Sequence, residues 1–269
     1  MKIHPTAVID TKTELDSSVL VGPYTVIEGK VQIGADTEIL PNTYISGTTI
    51  IGERNRIGPF STIGTPPQDL KYNGEDTKLV IGNDNQIREY VSMHRGTISG
   101  NQETVIGNSG LFMAYVHIAH DCIIGDHVIM ANAATLSGHV TVEDHVTMGG
   151  LVGVHQFTRI GAFAFVGGHS GINQDVPPFV ILAGTRSGMR VTRINTIGLK
   201  RNGIAEDTLQ GLNRAFRIIF RTKGLLLQEA LEMAIVEREV PAIVQIVTTS
   251  SIDGDVLLIV KTERTNGYL

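Results

Sequence analysis

Aliphatic residues return at every sixth position over most of this chain, a spacing that neither a helix nor a simple strand produces. One register runs through Ile3, Ile9, Leu15, Val21, Ile27, Ile33, Ile39, Ile45, Ile51, Ile57 and Ile63, and resumes at Ile81, Ile87 and Met93. A second, shifted by one, runs from Ile106 through Phe112, Ile118, Ile124, Met130, Leu136, Val142, Met148, Val154, Ile160 and Val166 to Ile172. Hexapeptide periodicity predicts a parallel β-helix, with three hexads closing one triangular coil of 18 residues. Each aliphatic residue points inward, joined by a small or apolar residue four places on, as at Val19, Thr25, Val31 and Thr37. A single coil cannot cover its own interior, so the coils stack and bury one another, leaving open edges at the two ends. The 30 glycines are expected to serve the sharp turns at the corners.

Two segments break the register. Residues 64–80 carry Pro66-Pro67 followed by Asp69 and Lys71, and residues 96–105 are polar with two glycines. Both read as loops thrown out from a rigid scaffold, where binding groups commonly sit. The solenoid pattern fades near Pro177-Pro178, which gives a β-helix over 1–185 and a mainly helical unit over 186–269. A helix is expected to open at Ala205-Glu206-Asp207, with an apolar face that includes Leu209, Leu212, Ala215, Phe216 and Ile219, and to stop by Gly224. A second should cover about 226–237, with Pro241 opening a third. The tail, 252–269, is atypical; Val256-Leu257-Leu258-Ile259-Val260 reads as a strand or an extended sticky segment.

Composition narrows the function. A net charge of -5 argues against nucleic acid, which calls for a basic face. The single cysteine, Cys122, rules out an intramolecular disulfide and suits a reducing compartment. The amino terminus lacks a signal-peptide pattern, and no apolar run is long enough to span a bilayer, so a cytoplasmic protein is expected. Against this acidic background, nine Lys or Arg and only two acidic residues lie between Arg186 and Lys223, a local field suited to a polyanionic partner or a diphosphate.

Eight of the nine histidines fall between residues 94 and 169, and the coil length converts that clustering into geometry. His120, Gly138, Gln156 and Gln174 are one coil apart and should form a column. Asp121 and His139 form the adjoining column, and His127 stacks under His145. His120, Asp121, Gly138, His139, His155 and Gln156 therefore crowd one region. A neutral imidazole there can take a proton from an alcohol, with a neighbouring carboxylate fixing its tautomer. A glycine one coil away can offer its N–H to a developing oxyanion. No GxSxG motif is present and Cys122 reads as a small buried group, so direct attack by a substrate hydroxyl is the simpler chemistry. A purely structural polar column fits the same spacing. His127 and His145 read as turn residues, and no compact ligand motif points to a metal.

An ordered set of motifs goes further: PQDLKY at 67–72, IREYVSMHRGT at 87–97, HIAHDC at 117–122, ANAATLSGHV at 131–140, GVHQF at 153–157, QDVPPFV at 174–180 and NTIGLKRNG at 195–203. Together they resemble the UDP-N-acetylglucosamine O-acyltransferase family, cytoplasmic enzymes that begin lipid A synthesis, over roughly residues 1 to 250. The resemblance implies a left-handed β-helix assembled as a homotrimer, with active sites between subunits. It implies His120 as general base, Asp121 as its orienter and the Gly138 N–H as oxyanion donor. Asp69, Lys71, His117, His139 and Gln156 would hold the glucosamine and its phosphates, while His155 lines the cleft. Gly168 would gauge the acyl chain and favour a long one, and Asn195 and Arg201 would meet the nucleotide end. The donor would be acyl-acyl carrier protein, whose acidic surface suits the basic segment; it brings its own 4'-phosphopantetheine arm, and no other cofactor is implied. Ile197 and Asn202 stand where many members carry an acidic residue and a second arginine, and Arg193 is placed to compensate. A 3-amino sugar nucleotide as acceptor, an acyl-CoA donor, or a non-catalytic β-helix scaffold are the alternatives.

Overall fold

The hexad spacing builds the coil it predicts. The computed structural model describes residues 2–184, 188–222, 224, 229–230, 233–234, 244–250 and 256–262. Short strands form three sheets of eleven, nine and eight strands, in which each strand pairs with the strand one coil on. The pairing is in register with the sequence period: Ile39 opposite Ile57, Ile118 opposite Leu136, Ile124 opposite Val142. The predicted inward residues form one continuous core, with Ile27, Ile45, Ile57, Ile63, Ile118, Met130 and Val166 fully buried. Each such side chain contributes about 1.5–3 kcal/mol relative to exposure. Ile3, in the first coil, is exposed, as expected at an open end. Buried threonines at the inner corner positions donate their hydroxyls to carbonyls one coil away, as Thr37 does to Gly52 at 2.9 Å.

Some glycines take positive φ at turns as expected, among them Gly29, Gly47 and Gly64, but many others do a different job. The positive-φ corner position is filled mostly by larger residues, among them Tyr24, Asn42, Phe60, Asp121, His139 and Phe157. Glycine instead follows the inward aliphatic residue, where neighbouring coils come closest. A methyl added at Gly58 would lie 2.3 Å from the Arg88 carbonyl carbon, and one at Gly52 would lie 2.6 Å from the Gly82 oxygen. Close approach, not backbone freedom, selects the residue there.

At the far end Val180–Ala183 extends the first sheet in parallel, and Arg190–Ile194 then adds an antiparallel strand. This strand closes an edge within a stretch whose composition suggests only a linker. Two helices follow: α1, Thr196–Arg201, and α2, Glu206–Arg221. The second is the helix expected from the apolar face, with Leu209, Leu212, Ala215 and Phe216 buried; α1 is too short to show a period. Positions 229–230 and 233–234 are helical, within the second expected helix. The rest of 226–237, the helix expected at Pro241, and Arg186 and Lys223 of the basic segment lie outside the described residues. Val256–Thr262 is the strand suggested by its apolar run, paired antiparallel with Val244–Ser250, a strand the sequence did not signal. The remainder of the tail, 252–255 and 263–269, also lies outside them. Among the described residues no helix is long and apolar enough to cross a membrane.

Candidate active site

Two consecutive corners bring the predicted chemistry together. His120 and Asp121 occupy one corner, and Gly138 and His139 occupy the same corner one coil later, with the His139 N–H donating to the His120 carbonyl at 3.0 Å. Asp121 takes the left-handed corner conformation at φ 58° and is only 1% exposed. Its carboxylate accepts His120 Nδ1 at 2.8 Å, and that bond leaves Nε2 as the ring's lone-pair nitrogen. His120 lies directly over Gly138: a methyl on Gly138 would sit 2.5 Å from the ring Cε1 and 2.8 Å from Nε2. The column deduced from an 18-residue coil is thus a contact. Among the described residues the Gly138 N–H has no hydrogen-bond partner, as an oxyanion donor requires.

Asp121 is held from behind by the second loop. Thr97 donates its hydroxyl at 2.6 Å to Oδ2, and its N–H at 3.0 and 3.1 Å to Oδ1 and Oδ2; the Asn101 N–H reaches Oδ1 at 2.9 Å. Burial works to raise the carboxyl pKa, but the Thr97 and His120 hydrogen bonds outweigh it and hold the group below the usual carboxylate range. The sequence placed this loop at the surface and gave its residues no role. His139 stacks on Phe157 at 4.5 Å and sets its Nε2 3.9 Å from the Asp121 carboxylate. His120 Nδ1, Asp121 and His139 together have the spacing of a cation site. To hold a cation, however, Asp121 would have to give up donors that already fill both of its oxygens.

Around this pair burial disfavours the charged form of His117, His94 and His139. His117, bonded to the Ser92 hydroxyl at 2.7 Å, is pushed down to about 4 by burial and by His94 beside it. Burial also lowers His94, whose Nδ1 donates to the Pro66 carbonyl at 2.6 Å, and it lowers His139. His94 thereby ties the first loop to the coil. Arg95 adds a second tie, donating to the Gly64 carbonyl and, at 2.9 Å, to the Tyr72 hydroxyl. Neither residue was singled out from the sequence, although both lie inside one of its motifs. Asp69, whose carboxylate accepts the Lys71 N–H at 3.0 Å, is near enough for its charge to act on His139.

Acidification should expose this electrostatic arrangement. The His117 pKa is depressed in the folded chain, so its contribution to stability is complete above the unfolded value of 6.5. That contribution is lost as pH falls towards about 4. His117→Gln should flatten the denaturant-measured stability profile across that window by on the order of 2 kcal/mol. An unchanged slope would contradict the assignment.

The remaining candidates are less concentrated. His155 and Gln156 are exposed beside Phe157 one coil above Gly138, with the His155 ring on the Gln156 carbonyl at 3.2 Å. Gly168 is exposed two coils above Gly150's neighbour Asn132, and a methyl on it would meet the Gly150 carbonyl at 3.2 Å. Asn195 is buried and already engaged. Its Oδ1 caps α1 at the Gly198 N–H, and its Nδ2 donates to the Phe163 carbonyl at 2.9 Å. Arg201 is exposed at the end of α1. His127 and His145 stack as predicted, at 4.7 Å, on a different corner from His120.

Known proteins share the sequence and the fold of this chain. Residues 30–65 match the bacterial transferase hexapeptide family (six repeats), and residues 175–253 match domain 2 of UDP N-acetylglucosamine O-acyltransferase. The acyl-carrier-protein–UDP-N-acetylglucosamine O-acyltransferase of Thermodesulfovibrio yellowstonii is 52% identical over 91% of this chain and 93% of its own. That of Halorhodospira halophila is 54% identical over 86% of this chain and 88% of its own. The crystal structure of the Acinetobacter baumannii enzyme superposes with a TM-score of 0.85 at 44% identity, covering 89% and 92% of the two chains. The Moraxella catarrhalis structure gives 0.84 at 43% identity, covering 89% and 93%. The solenoid is accordingly the left-handed parallel β-helix expected from the motifs. With half its residues shared over nearly the whole length, and the histidine corner in place, this chain belongs to the UDP-N-acetylglucosamine O-acyltransferase family.

Proposed function

We propose that this protein transfers an acyl chain from acyl-acyl carrier protein to the glucosamine 3-hydroxyl of UDP-N-acetylglucosamine, the first step of lipid A synthesis. The observation that carries the reading is the His120 imidazole, bonded to a buried carboxylate through Nδ1 and seated over Gly138. His120 Nε2 takes the proton of the 3-hydroxyl as the sugar oxygen attacks the thioester carbonyl. The oxyanion forms at the Gly138 N–H. Its collapse expels the phosphopantetheine thiolate, which recovers the proton from the imidazolium, leaving a sugar ester and a carrier thiol. The protein needs no cofactor of its own, because the 4'-phosphopantetheine arm arrives on the donor.

Asp69, Lys71, His117, His139 and Gln156 hold the glucosamine and its phosphates, and His155 lines the cleft. Neutral His117 and His139 can donate to and accept from sugar hydroxyls, a use favoured by their lowered pKa values. Gly168 sets the limit of the acyl groove. Asn195 and Arg201 meet the nucleotide end, and Asn195 also fixes α1 through one bond at each of its amide atoms. The protein works as a cytoplasmic homotrimer with each site completed by a neighbour. Two surfaces support this: Leu70 is fully exposed beside Asp69 and Lys71, and Phe60, Tyr90 and Tyr115 form an exposed ladder of stacked rings at 5.2 and 4.9 Å. Such apolar surface is normally covered by a partner.

The test pairs carrier-protein and CoA thioesters of several chain lengths with UDP-N-acetylglucosamine and its 3-amino analogue. Ester formation from long-chain carrier-protein donors is expected. Transfer only from CoA, only to the amine, or not at all would overturn the reading in that respect.

A further inference from the structure

The loop at 96–105 lengthens its coil: His117 follows Ser92, its neighbour across the sheet, by 25 residues, where undisturbed coils are spaced by 18. The extra chain folds back onto one residue, Asp121. Thr97 gives it a hydroxyl and an N–H, Asn101 gives a second N–H, and Thr104 Oγ1 accepts the Asp121 N–H at 2.8 Å. Gly100 is pressed so close that a methyl there would lie 2.4 Å from the carboxyl carbon. Thr97 and Thr104 are buried. This is a large commitment of buried donors to a side chain whose only other hydrogen-bond partner among the described residues is the His120 ring.

We infer that Thr97 is a positioning residue for the acyl transfer, its hydroxyl sharing Asp121 Oδ2 with His120 Nδ1 so that the carboxylate stays aimed at the imidazole. The inference rests on the acyl-transfer reading and adds a residue to it. Oδ2 is the shared atom, and Oδ1 is anchored by the two backbone N–H groups. Without the hydroxyl, Oδ2 keeps one strong donor fewer, and the carboxylate becomes both more basic and freer to turn. The titratable groups facing Asp121 are His120 and His139, with the buried Cys122 thiol adjacent in the chain. Thr97 touches neither of these imidazoles in the hydrogen bonds described, so its effect reaches them through the carboxylate.

The test compares Thr97→Val, which keeps the shape and the N–H, with Thr97→Ser, which restores the hydroxyl. Turnover by Thr97→Val is expected to fall about tenfold to a hundredfold, the scale of one hydrogen bond to a charged group, with KM for the sugar nucleotide little changed. The acid limb of its kcat/KM profile should move to higher pH, because a more basic carboxylate makes the His120–Asp121 pair protonate earlier. Thr97→Ser should recover both. Should the valine variant fail to fold, Thr97→Ala, which adds no bulk, serves in its place. Valine or alanine variants with turnover within twofold of the parent and an unmoved acid limb would overturn the inference. So would a loss that serine does not rescue. Failure of the parent itself to transfer would instead overturn the acyl-transfer reading.

Discussion

His120→Ala is expected to lower turnover by about two to four orders of magnitude while leaving the coil intact, the scale on which a general base acts. The imidazole is partly exposed and its one strong hydrogen bond in the structure is to Asp121. Removing it leaves that carboxylate still supplied by Thr97 and Asn101, so folding should be little affected. His139 cannot substitute. Its Nε2 faces Asp121 at 3.9 Å and its ring is stacked on Phe157, which sets it edge-on to His120 instead of over Gly138. Turnover measured on purified protein, with thermal melting as the control, checks this. Near-normal turnover would remove His120 from the mechanism.

Asp121→Asn should be nearly as damaging to turnover, about a hundredfold or more, at little cost in stability. Asn has the right shape but brings an NH2. Turned toward Oδ1 it meets two backbone N–H donors, from Thr97 and Asn101, that cannot be reversed. Turned toward Oδ2 it meets the Thr97 hydroxyl, which can rotate, and His120 Nδ1, which can give up its proton. The second orientation wins, and it is the wrong one for catalysis, because the ring proton then sits on Nε2 and the base is lost. Folding remains close to the parent because every buried donor keeps an acceptor. A variant that kept turnover within a few fold would show that the tautomer is fixed by something other than Asp121.

Much of this was legible in the chain because a solenoid turns sequence spacing into height. Once three hexads make a coil, the separation of His120 from Gly138 by one coil already places them in contact, and the stack of His127 on His145 follows in the same way. The motif resemblance then gave those residues roles. What the spacing missed lies where the period fails. Thr97 and Asn101 belong to an insertion, and counting by coils cannot say where an insertion folds back. The cap strand Arg190–Ile194 runs antiparallel, so it carries no hexad phase. Asn195, which lies in one of the motifs, also caps α1 and donates to the Phe163 carbonyl, a role invisible without knowing that a six-residue helix begins there. Glycine was read as a turn residue where, at many positions, the constraint was close contact between coils. The corner angle falls instead on residues such as Asp121 and His139, and that angle stacks their side chains into columns.

The central claim is that one imidazole carries the proton through a single displacement, with no acyl group ever attached to the protein. Rapid quenching followed by intact-mass measurement tests it, using long-chain acyl-acyl carrier protein with and without UDP-N-acetylglucosamine. Carrier thiol should be released only when the sugar nucleotide is present, in step with ester formation, and the protein's mass should never change. A burst of thiol release with the donor alone, accompanied by a protein heavier by one acyl group, would contradict it.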